Sequence, residues 1–324
     1  MSFTRHVLIT GGAGFIGSHL CDAFLNRGVA VTAVDNLVTG RKANIAGALA
    51  QHGPEKFQFV EWDVSESLPE SKFELIRKKG LHGVLHFACP ASPVDFDRIP
   101  DVILKVDSLG TFHTVELALK HRARYLLAST SEIYGDPLEH PQKETYWGNV
   151  NTLGPRACYD EAKRFAEAVV STNARIKGLN AGIVRIFNTY GPRMRLDDGR
   201  VVPELARQAL AGKPLTVHGD GKQTRSFCYV SDLVEGIVRL FESSVTEPVN
   251  CGNPSERTVL EFASELQKIT GSKLPMTHLP ARTDDPRRRC PDITRARTLL
   301  GWEPKVDLAE GLARTVEAFR AELG

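Results

Sequence analysis

A glycine-rich turn between an apolar strand and a helix constrains the fold most strongly. HVLIT (6–10) runs directly into GGAGFIG (11–17), and a helix-like stretch follows. Glycines at such positions allow a tight turn, close approach of the backbone to a pyrophosphate and close packing of helix on strand. The N–H groups and the positive dipole at the helix start favour an anion there. The turn predicts a dinucleotide-binding unit whose contacts come from Gly11, Gly14, Phe15, Ile16 and Gly17.

Strand and helix signals alternate along the first half of the chain. Further apolar, β-rich segments lie at 30–35, 57–64, 83–88, 124–130 and 182–188, and helix-like stretches at 17–27, 102–120 and 159–176. Continuous apolar strands separated by helices predict a parallel sheet covered on both faces. We therefore expect an α/β fold with a Rossmann-type, doubly wound parallel sheet. The predicted domains are a dinucleotide-binding domain (1–187, with 231–250 returning to it) and a smaller C-terminal substrate lobe (188–324).

Composition and charge exclude several classes of protein. The 324 residues are 42% hydrophobic and 25% charged, and 41 basic against 39 acidic residues leave a formal charge of +2. This balance gives no sign of nucleic-acid or membrane-surface binding. The longest stretch without a formal charge, 6–21, is shorter than the roughly 18 apolar residues of a membrane span. No signal peptide is predicted, and the six cysteines form no CxxC pair, so neither disulfides nor a zinc site is expected. We expect a cytoplasmic, metal-free protein.

An acidic residue ends the second predicted strand. Asp35 follows the last glycine of the turn by 18 residues. A carboxylate there accepts hydrogen bonds from the adenosine ribose hydroxyls and repels a 2′-phosphate, which favours NAD over NADP. Arg41 and Lys42 leave NADP open, because a nearby basic residue can accommodate that phosphate. Asp63 and Val64, after the third strand, either meet the adenine or form a strand-end turn. The cofactor-binding set predicted here is Asp35, Asn36, Gly40, Arg41, Asp63 and Val64.

A tyrosine and a lysine share one predicted helix face. Of the six tyrosines, only Tyr159 has a lysine four residues later, Lys163. A phenol with a pKa of about 10 can act as a base near neutral pH if an ammonium and the nicotinamide cation favour the phenolate. A chance pair on an amphipathic helix is the alternative. The strand that ends at Thr130 favours the chemical interpretation, because ligands bind beyond the carboxyl ends of parallel strands.

Several longer motifs point to one family. The spacing Gly-x-x-Gly-x-x-Gly resembles the extended short-chain dehydrogenases/reductases that modify nucleotide sugars. Within that group, five segments closely resemble UDP-glucuronate decarboxylases: HFACPASP (86–93), STSEIYGDPLEHPQKETYWGNVNTLGPRACYDEAKR (129–164), RIFNTYGPRMRLDDGRVVP (185–203), QTRSFCYVSD (223–232) and DDPRRRCPDITRARTLLGWEP (284–304). The resemblance extends from residue 10 to about residue 319.

The resemblance implies a reaction and the residues that perform it. UDP-glucuronate would be oxidised at C4 by NAD, decarboxylated as a 4-keto acid and reduced to UDP-xylose, so that NAD is recycled in place. Tyr159 would be the base for the 4-hydroxyl, and Lys163 would tune it and hold the nicotinamide ribose. Thr130 would bind the 4-oxygen, Glu132 would act beside C5, and Arg289 would hold the substrate carboxylate.

The resemblance also implies binding residues and an assembly. Asn188 and Arg225 would contact the UDP pyrophosphate, and Thr189 and Arg200 would lie near the cofactor phosphates. The family dimerises through two helices per subunit, so we expect a homodimer formed by the helices near 102–120 and 159–176.

Two positions depart from the family pattern. The resemblance predicts a lysine at Val102 and the asparagine of Asn-x-x-Gly-Thr at Asp107. A valine removes one contact to an acidic sugar, and Asp107 places a charge near the phosphates that needs a compensating donor. Fine substrate specificity therefore stays open.

Three rival functions are considered. A nucleotide-sugar 4,6-dehydratase has an aspartate where this chain has Ser131, which is not an acid of suitable pKa. A 4-epimerase generally lacks the glutamate found here at position 132. A non-catalytic NAD-sensing regulator on the same fold would have no need of Tyr159, Lys163 and Thr130.

Overall fold

The computed structural model describes residues 5–281 and 288–323. The strands are β1 (His6–Thr10), β2 (Ala30–Asp35), β3 (Phe57–Glu61), β4 (Gly83–His86), β5 (Arg124–Thr130), β6 (Ala181–Ile186), β7 (Thr189–Tyr190), β8 (Leu215–His218), β9 (Thr224–Ser226), β10 (Cys228–Tyr229), β11 (Pro248–Cys251), β12 (Glu256–Thr258), β13 (Met276–Leu279) and β14 (Arg288–Arg289). The α-helices are α1 (Phe15–Asn26), α2 (Ala46–Gln51), α3 (Glu74–Lys79), α4 (Pro93–Arg98), α5 (Pro100–Lys105), α6 (Thr111–His121), α7 (Ala157–Lys177), α8 (Val201–Leu210), α9 (Val230–Glu242), α10 (Val259–Thr270), α11 (Thr294–Leu300) and α12 (Leu308–Leu323).

A parallel sheet forms the centre of the described residues. Its seven strands lie in the order β11-β6-β5-β4-β1-β2-β3, and every neighbouring pair is parallel. The strand order reverses between β1 and β4, and ligands of such sheets bind beyond the carboxyl ends at this switch point. The α/β, doubly wound Rossmann-type prediction is confirmed.

Alternation along the strands supplies both hydrophobic layers. Val7 and Ile9 pack into one buried cluster together with residues of α1 and α9, whereas Leu8 packs into a second cluster with residues of α6 and α7. Side chains of a strand point alternately to opposite faces, so a continuous apolar strand is buried on both sides. This explains why the strands read as unbroken apolar runs.

The later part of the chain builds a lobe over the carboxyl edge of the sheet. It contains the small sheets β12-β9-β14 and β13-β8 with α8, α10 and α12. One segment of it rejoins the main sheet: β11 pairs with β6, and Phe241 of α9 packs edge to face on Phe24 of α1 with ring centroids 5.3 Å apart. The boundary at residue 188 stays a prediction.

Three predicted elements differ in detail. The strands predicted over 57–64 and 83–88 end earlier, at Glu61 and His86, because the residues that follow turn into the ligand-binding edge. The helix predicted over 102–120 is α5, a π-helical turn (Val106–Gly110) and α6. Across the described residues, we find no helix whose length and apolar character would let it cross a membrane.

Candidate active site

One cleft opens at the carboxyl edge of the main sheet and continues beneath the C-terminal lobe. Residues from the ends of β1, β2, β4, β5 and β6 line it, together with residues of α7, α8 and β9. The predicted site residues that line this cleft are Gly11, Gly14, Phe15, Ile16, Gly17, Asp35, Asn36, Val64, Thr130, Glu132, Tyr159, Lys163, Asn188, Thr189, Arg200, Arg225 and Arg289. Val102 lines it as well, so the expected lysine is missing from the cleft wall itself.

Steric demands fix the glycine turn. Gly11 has φ +68°, and a Cβ there would lie 2.6 Å from the carbonyl oxygen of Phe87. A Cβ on Gly17 would overlap the carbonyl oxygen of Gly11, and one on Gly14 would approach that oxygen to 3.0 Å. The turn therefore brings the start of α1 against the end of β1 without side chains between them. The backbone cradle that results suits a pyrophosphate.

Asp35 closes the other side of this cradle. Its carboxylate accepts hydrogen bonds from the backbone N–H groups of Ala13 (3.0 Å) and Leu37 (2.8 Å). A Cβ on Gly40 would lie 2.6 Å from Asp35 Oδ1, so a glycine lets the loop pass over the carboxylate. Burial raises the pKa of Asp35, and the backbone hydrogen bonds oppose that rise. Asp35 thus holds the turn as well as facing the cleft.

Three predicted cofactor residues are not among the described residues that line the cleft. Gly40 backs Asp35, as above, and Asp63 accepts hydrogen bonds from Asn36 (3.0 Å) and from the hydroxyl of Ser65 (2.7 Å). Arg41 pairs with Glu322, and it also donates to the carbonyl of Arg193 at 3.3 Å. Direct contact of Arg41 with a cofactor phosphate stays a prediction, because its guanidinium is engaged with the C-terminal helix.

Tyr159 and Lys163 meet at the centre of the cleft on the first turns of α7. The Tyr159 ring stacks on Phe96 with centroids 5.1 Å apart and planes 18° apart, and Lys163 Nζ lies 5.9 Å from the same ring. Lys163 Nζ donates to the carbonyl of Ala128 at 3.0 Å. The predicted helix spacing therefore places both side chains beside the end of β5, where Thr130 caps a 3₁₀ turn by accepting from the N–H of Glu132 at 3.2 Å.

The surroundings of Tyr159 favour its neutral form. Burial raises the pKa of Tyr159 well above its usual value, whereas the ammonium of Lys163 and a hydrogen bond with Thr130 oppose the rise. A cationic nicotinamide ring beside the phenol would add to the opposing effect. Tyr159 thus depends on its neighbours to act as a base.

The structure supplies the donor that Asp107 needs, and it does so at Lys163. The carboxylate lies in the π-helical turn, and its Oδ1 is 2.9 Å from Lys163 Nζ. The charge that compensates Asp107 is therefore the active-site ammonium, and the nearness of Asp107 to the phosphates stays a prediction. The wide turn, which the helix-like sequence pattern conceals, points this residue at α7.

Glu132 and Arg289 form a buried ion pair. Arg289 donates to Glu132 Oε1 (3.0 Å) and Oε2 (3.4 Å), to the hydroxyl of Ser131 (3.1 Å) and to the carbonyl of Gly135 (2.9 Å). Arg156 donates to Glu132 from the other side at 2.5 Å. Glu132 therefore orients Arg289, and the role of Arg289 at a substrate carboxylate stays a prediction.

The charges around Glu132 shift the pKa values of two neighbouring carboxyl groups in opposite directions. Burial by itself would raise the pKa of Glu132, but the guanidinium groups of Arg289, Arg156 and Arg225 outweigh it and lower the pKa to about 2. Burial and the charge of Glu132 raise the pKa of Asp160 to about 7. The three guanidinium groups thus favour the anionic form of Glu132.

The remaining predicted binding residues lie along the lobe side of the cleft. Arg200 pairs with both oxygens of Asp198, one of them at 2.8 Å from its Nη2. Arg225 lies on β9 beside Arg289 of β14, to which it is the register partner. Thr189 donates its hydroxyl to the carbonyl of Phe187 at 2.9 Å. The contacts of these residues and of Asn188 with phosphates stay predictions.

Sequence reasoning missed several residues that build the site. Phe96 supports Tyr159, Arg156 pairs with Glu132, and Cys89 contacts Asp107. The position of Arg156, three residues before Tyr159 at the start of the helix, could have placed it on the same face. No local pattern joins Phe96 to α7 or Cys89 to the π turn, because those contacts are made through the tertiary fold. Residues 284–287 of the last quoted motif lie outside the described residues.

One cluster bears on the predicted absence of a metal. Ligand atoms of His140, Glu256 and Cys290 lie within 4.8 Å of one another, and none of the three is among the described residues that line the cleft. The expectation of a metal-free protein stays a prediction.

Comparison with known proteins identifies the family. The family model described as GDP-mannose 4,6 dehydratase matches residues 8–315. UDP-glucuronic acid decarboxylase 1 of Danio rerio is 48% identical over 319 residues, which cover 98% of this chain and 73% of that protein. The solved UDP-glucose 4-epimerase of Thermotoga maritima, bound to UDP-glucose, superposes with a TM-score of 0.88 at 31% identity, with 99% of this chain and 100% of that chain covered. UDP-glucuronic acid 4-epimerase of Bacillus cereus, in complex with UDP-glucuronic acid and NAD, has a TM-score of 0.86 at 28% identity, with 98% and 100% covered.

The sheet, the glycine turn and the Tyr159–Lys163 pair at one cleft define an extended short-chain dehydrogenase/reductase of the epimerase and dehydratase kind. The 48% sequence identity with a UDP-glucuronic acid decarboxylase over 98% of the chain narrows this class to one family. The chain belongs to the UDP-glucuronic acid decarboxylase family.

Proposed function

We propose that this protein converts UDP-glucuronate to UDP-xylose and carbon dioxide, with NAD recycled in place. The observation that carries the proposal is one cleft that holds the Tyr159–Lys163 pair, Thr130 and the Glu132–Arg289 ion pair. The first three suit oxidation of a sugar hydroxyl, and the arginine suits a substrate that carries a carboxylate. Relatives named for this reaction are 48% identical over 98% of the chain, whereas the solved 4-epimerases reach 31% and 28%.

The residues at the cofactor end fit NAD. The backbone cradle at Gly11, Gly14 and Gly17 has no room for side chains, and Asp35 presents a carboxylate at the end of β2. Bound NAD would accept the hydride from C4 of the sugar and return it after decarboxylation. Asp35 favours the cofactor without a 2′-phosphate, because that group would meet a like charge.

Tyr159 and Thr130 handle the oxygen at C4. Tyr159 takes the hydroxyl proton during oxidation and gives it back when the sugar is reduced. The oxidised sugar is a β-keto acid, so loss of carbon dioxide leaves an enolate rather than a localised carbanion. Directed hydrogen bonds from Tyr159 and Thr130 to that oxygen would stabilise it by a few kcal/mol in a site closed to water. The enolate takes up one proton at C5, which replaces the departed carboxyl group and comes ultimately from solvent.

The other end of the cleft suits an anionic sugar nucleotide. The guanidinium groups of Arg289, Arg156 and Arg225 all act on Glu132. Arginine forks match carboxylate and diphosphate oxygens, and a low-dielectric wall strengthens that attraction. We propose that Arg225 and Asn188 bind the diphosphate and that Arg289, held by Glu132, faces the carboxylate at C5.

A dimer is part of the proposal. Leu109, Phe112 and Phe165 expose 47%, 42% and 46% of their surface on the π turn, α6 and α7. The rings of Phe112 and Phe165 lie 6.1 Å apart, so they form one apolar patch. Patches of this kind on paired helices mark subunit interfaces. Light scattering on Phe112→Glu should give a monomer where the unchanged protein gives a dimer.

A cytoplasmic location is proposed from the cysteines. All six lie among the described residues, and each is a free thiol. Thiols persist in a reducing compartment.

The test of the proposed function is the product formed from UDP-glucuronate. Proton NMR should show a UDP-pentose with the xylo configuration, and carbon dioxide should be released in equal amount. NADH, followed by its absorbance at 340 nm, should not accumulate. An unchanged C6 carboxylate with inverted C4 would establish the 4-epimerase instead. Growth of NADH in step with product would show release of the 4-keto pentose and contradict recycling.

A further inference from the structure

A buried carboxylate lies where the family resemblance predicts an amide. Asp107 is fully buried in the π turn, behind the described residues that line the cleft. Its Oδ1 is 2.9 Å from Lys163 Nζ, and its Oδ2 accepts a hydrogen bond from Cys89 Sγ at 3.0 Å. Both partners do line the cleft. Asp107 therefore contacts the active site through two groups rather than directly.

The backbone holds this carboxylate in place. The hydroxyl of Thr111, the first residue of α6, donates to the carbonyl of Asp107 at 2.7 Å, which ties the wide turn to the helix that follows. Gly110 in the same turn packs against Val64, since a Cβ at Gly110 would lie 3.0 Å from Val64 Cγ2. The contact between Asp107 and Lys163 is thus built into the junction of α5 and α6.

An anion and an amide at this position differ in charge, although their shapes match. An asparagine would accept a hydrogen bond from Lys163 and leave the ammonium charge uncompensated. The carboxylate cancels most of that charge within the protein, where the dielectric constant is low. Lys163 also donates to the carbonyl of Ala128, so the ion pair with Asp107 and this hydrogen bond together hold the ammonium in place.

We infer that Asp107 is a positioning residue which sets the charge balance around Lys163, so that the bound cofactor is held in its oxidised form. Oxidation of the sugar breaks the C4–H bond, moves the hydride and its electron pair to the nicotinamide ring, and moves the hydroxyl proton to Tyr159. The ring loses its positive charge in this step and regains it when the hydride returns. A nearby anion stabilises the cationic ring and not the neutral one, so Asp107 favours return of the hydride.

Several titratable groups lie around the same centre and are included in the inference, and Asp198 and Asp95 act on the Arg200 among them. They come from the loop after β4, the end of β4, β5, the π turn, α7 and the loop before α8: Cys89, His86, Tyr125, Asp107, Tyr159, Lys163 and Arg200. Asp107 is the carboxylate that contacts Lys163, whereas Arg200 is already paired with Asp198, so removal of the Asp107 charge leaves the Lys163 ammonium facing Tyr159 without its counter-ion.

The primary test measures cofactor affinity with no sugar present. The dissociation constants of NAD (by calorimetry) and NADH (by fluorescence) are compared for the unchanged protein and Asp107→Asn. We expect the ratio Kd(NAD)/Kd(NADH) to rise at least about tenfold, which for a two-electron couple corresponds to about 30 mV. Asp232→Asn is the matched control, because Asp232 is also a buried carboxylate but accepts from Lys305 and Val306 far along the chain.

Two further measurements separate charge from shape. In Asp107→Asn, the pH at which single-turnover reduction of NAD reaches half its maximum should fall by up to about one unit, because the exposed ammonium favours the Tyr159 phenolate. Cys89→Ala removes a hydrogen bond from the carboxylate and leaves the fold of the turn intact. Without that hydrogen bond, the Asp107 carboxylate exerts a stronger negative field. The ratio Kd(NAD)/Kd(NADH) should therefore fall, by about twofold or more.

Several outcomes would overturn the inference. Equal weakening of both cofactors in Asp107→Asn would reduce Asp107 to a structural partner of Lys163, and an unchanged ratio would do the same. If Asp107→Asn does not fold, Cys89→Ala decides: a ratio that is unchanged or rises contradicts the inference. The inference rests on the proposed use of NAD but not on the sugar substrate, so an absence of carbon dioxide release by the unchanged protein refutes the proposed function alone.

Discussion

The two ends of the cleft are built on different physical principles. At the cofactor end, Gly11, Gly14 and Gly17 shape the backbone by the absence of side chains, within seven consecutive residues. At the substrate end, Glu132 lies in the 3₁₀ turn after β5 and Arg289 in β14, 157 residues further along the chain, and the two are held together by charge. The first end tolerates no added atom, whereas the second depends on a balance among several charges. Substitutions at the cofactor end should therefore weaken binding strongly when they add an atom that does not fit. Substitutions at the substrate end should weaken activity gradually, as they shift the balance of charge.

The largest effect is expected between the two ends, at Tyr159. Tyr159→Phe keeps the ring stacked on Phe96 and removes only the hydroxyl that carries the proton. Loss of a positioned base costs up to about 10⁴-fold in rate, so we expect reduction of bound NAD to slow by about a thousandfold or more. Stopped-flow absorbance at 340 nm measures it, with Tyr146→Phe, outside the cleft wall, as the control. Reduction within tenfold of normal would move the base elsewhere.

A second substitution tests the cofactor end of the cleft, where added side-chain atoms do not fit. Gly17→Ala would force its Cβ against the carbonyl oxygen of Gly11, so the cradle must open. We expect NADH binding, followed by fluorescence, to weaken about a hundredfold, or roughly 3 kcal/mol. Gly47→Ala is the matched control, because a Cβ there meets no atom within 4 Å and α2 continues through it. Equal affinities in the two variants would mean that the turn adapts and that the comparison between the two ends is wrong.

The same contrast explains what could be predicted from the sequence. The sheet, the glycine turn and the Tyr159–Lys163 pair all lie in contiguous segments or at helix spacing, so local rules predict them. Other contacts join distant segments. Arg156 binds Glu132, 24 residues earlier in the chain, and Lys163 pairs with Asp107, 56 residues earlier. They depend on where a π turn and a 3₁₀ turn point their side chains. Sequence alone recognised Asp107 as unusual and expected a compensating donor, but it did not predict that Lys163 would pair with it.

Asp35 tests whether charge matters at the cofactor end as well. Asp35→Asn keeps one acceptor for the turn and removes the negative charge. A charge-assisted hydrogen bond to a hydroxyl is worth about 1.5–3 kcal/mol, so NAD should bind roughly ten- to a hundredfold more weakly. Affinity for NADP should rise relative to NAD. Calorimetry with both cofactors measures this, and an unchanged preference would show that Asp35 serves only the turn.

At the substrate end, Arg289→Lys keeps the charge and loses the fork. A lysine cannot bond Glu132, Ser131 and Gly135 together as Arg289 does. We expect carbon dioxide release to fall at least about tenfold, or roughly 1.4 kcal/mol, while oxidation at C4 continues, so that the 4-keto acid accumulates. Arg288→Lys, at the exposed neighbouring position, is the control. Decarboxylation at the normal rate would mean that the carboxylate binds elsewhere and would reopen the epimerase interpretation.

The smallest effect concerns stability and the balance of charge at the same end. Burial and the charge of Glu132 raise the pKa of Asp160 from 3.8 to about 7, so the folded protein holds this proton more tightly than the unfolded chain. The stabilisation from that proton is present below about pH 4 and is lost progressively as the pH rises to 7. Asp160→Asn removes this slope, so its stability relative to the unchanged protein should improve steadily between pH 5 and pH 7 and level off above. Urea unfolding at each pH measures the difference. A difference that does not vary with pH would show that Arg156, 3.8 Å from the Asp160 carboxylate, already compensates its charge, and that the substrate end is less finely balanced than its buried carboxyl groups suggest.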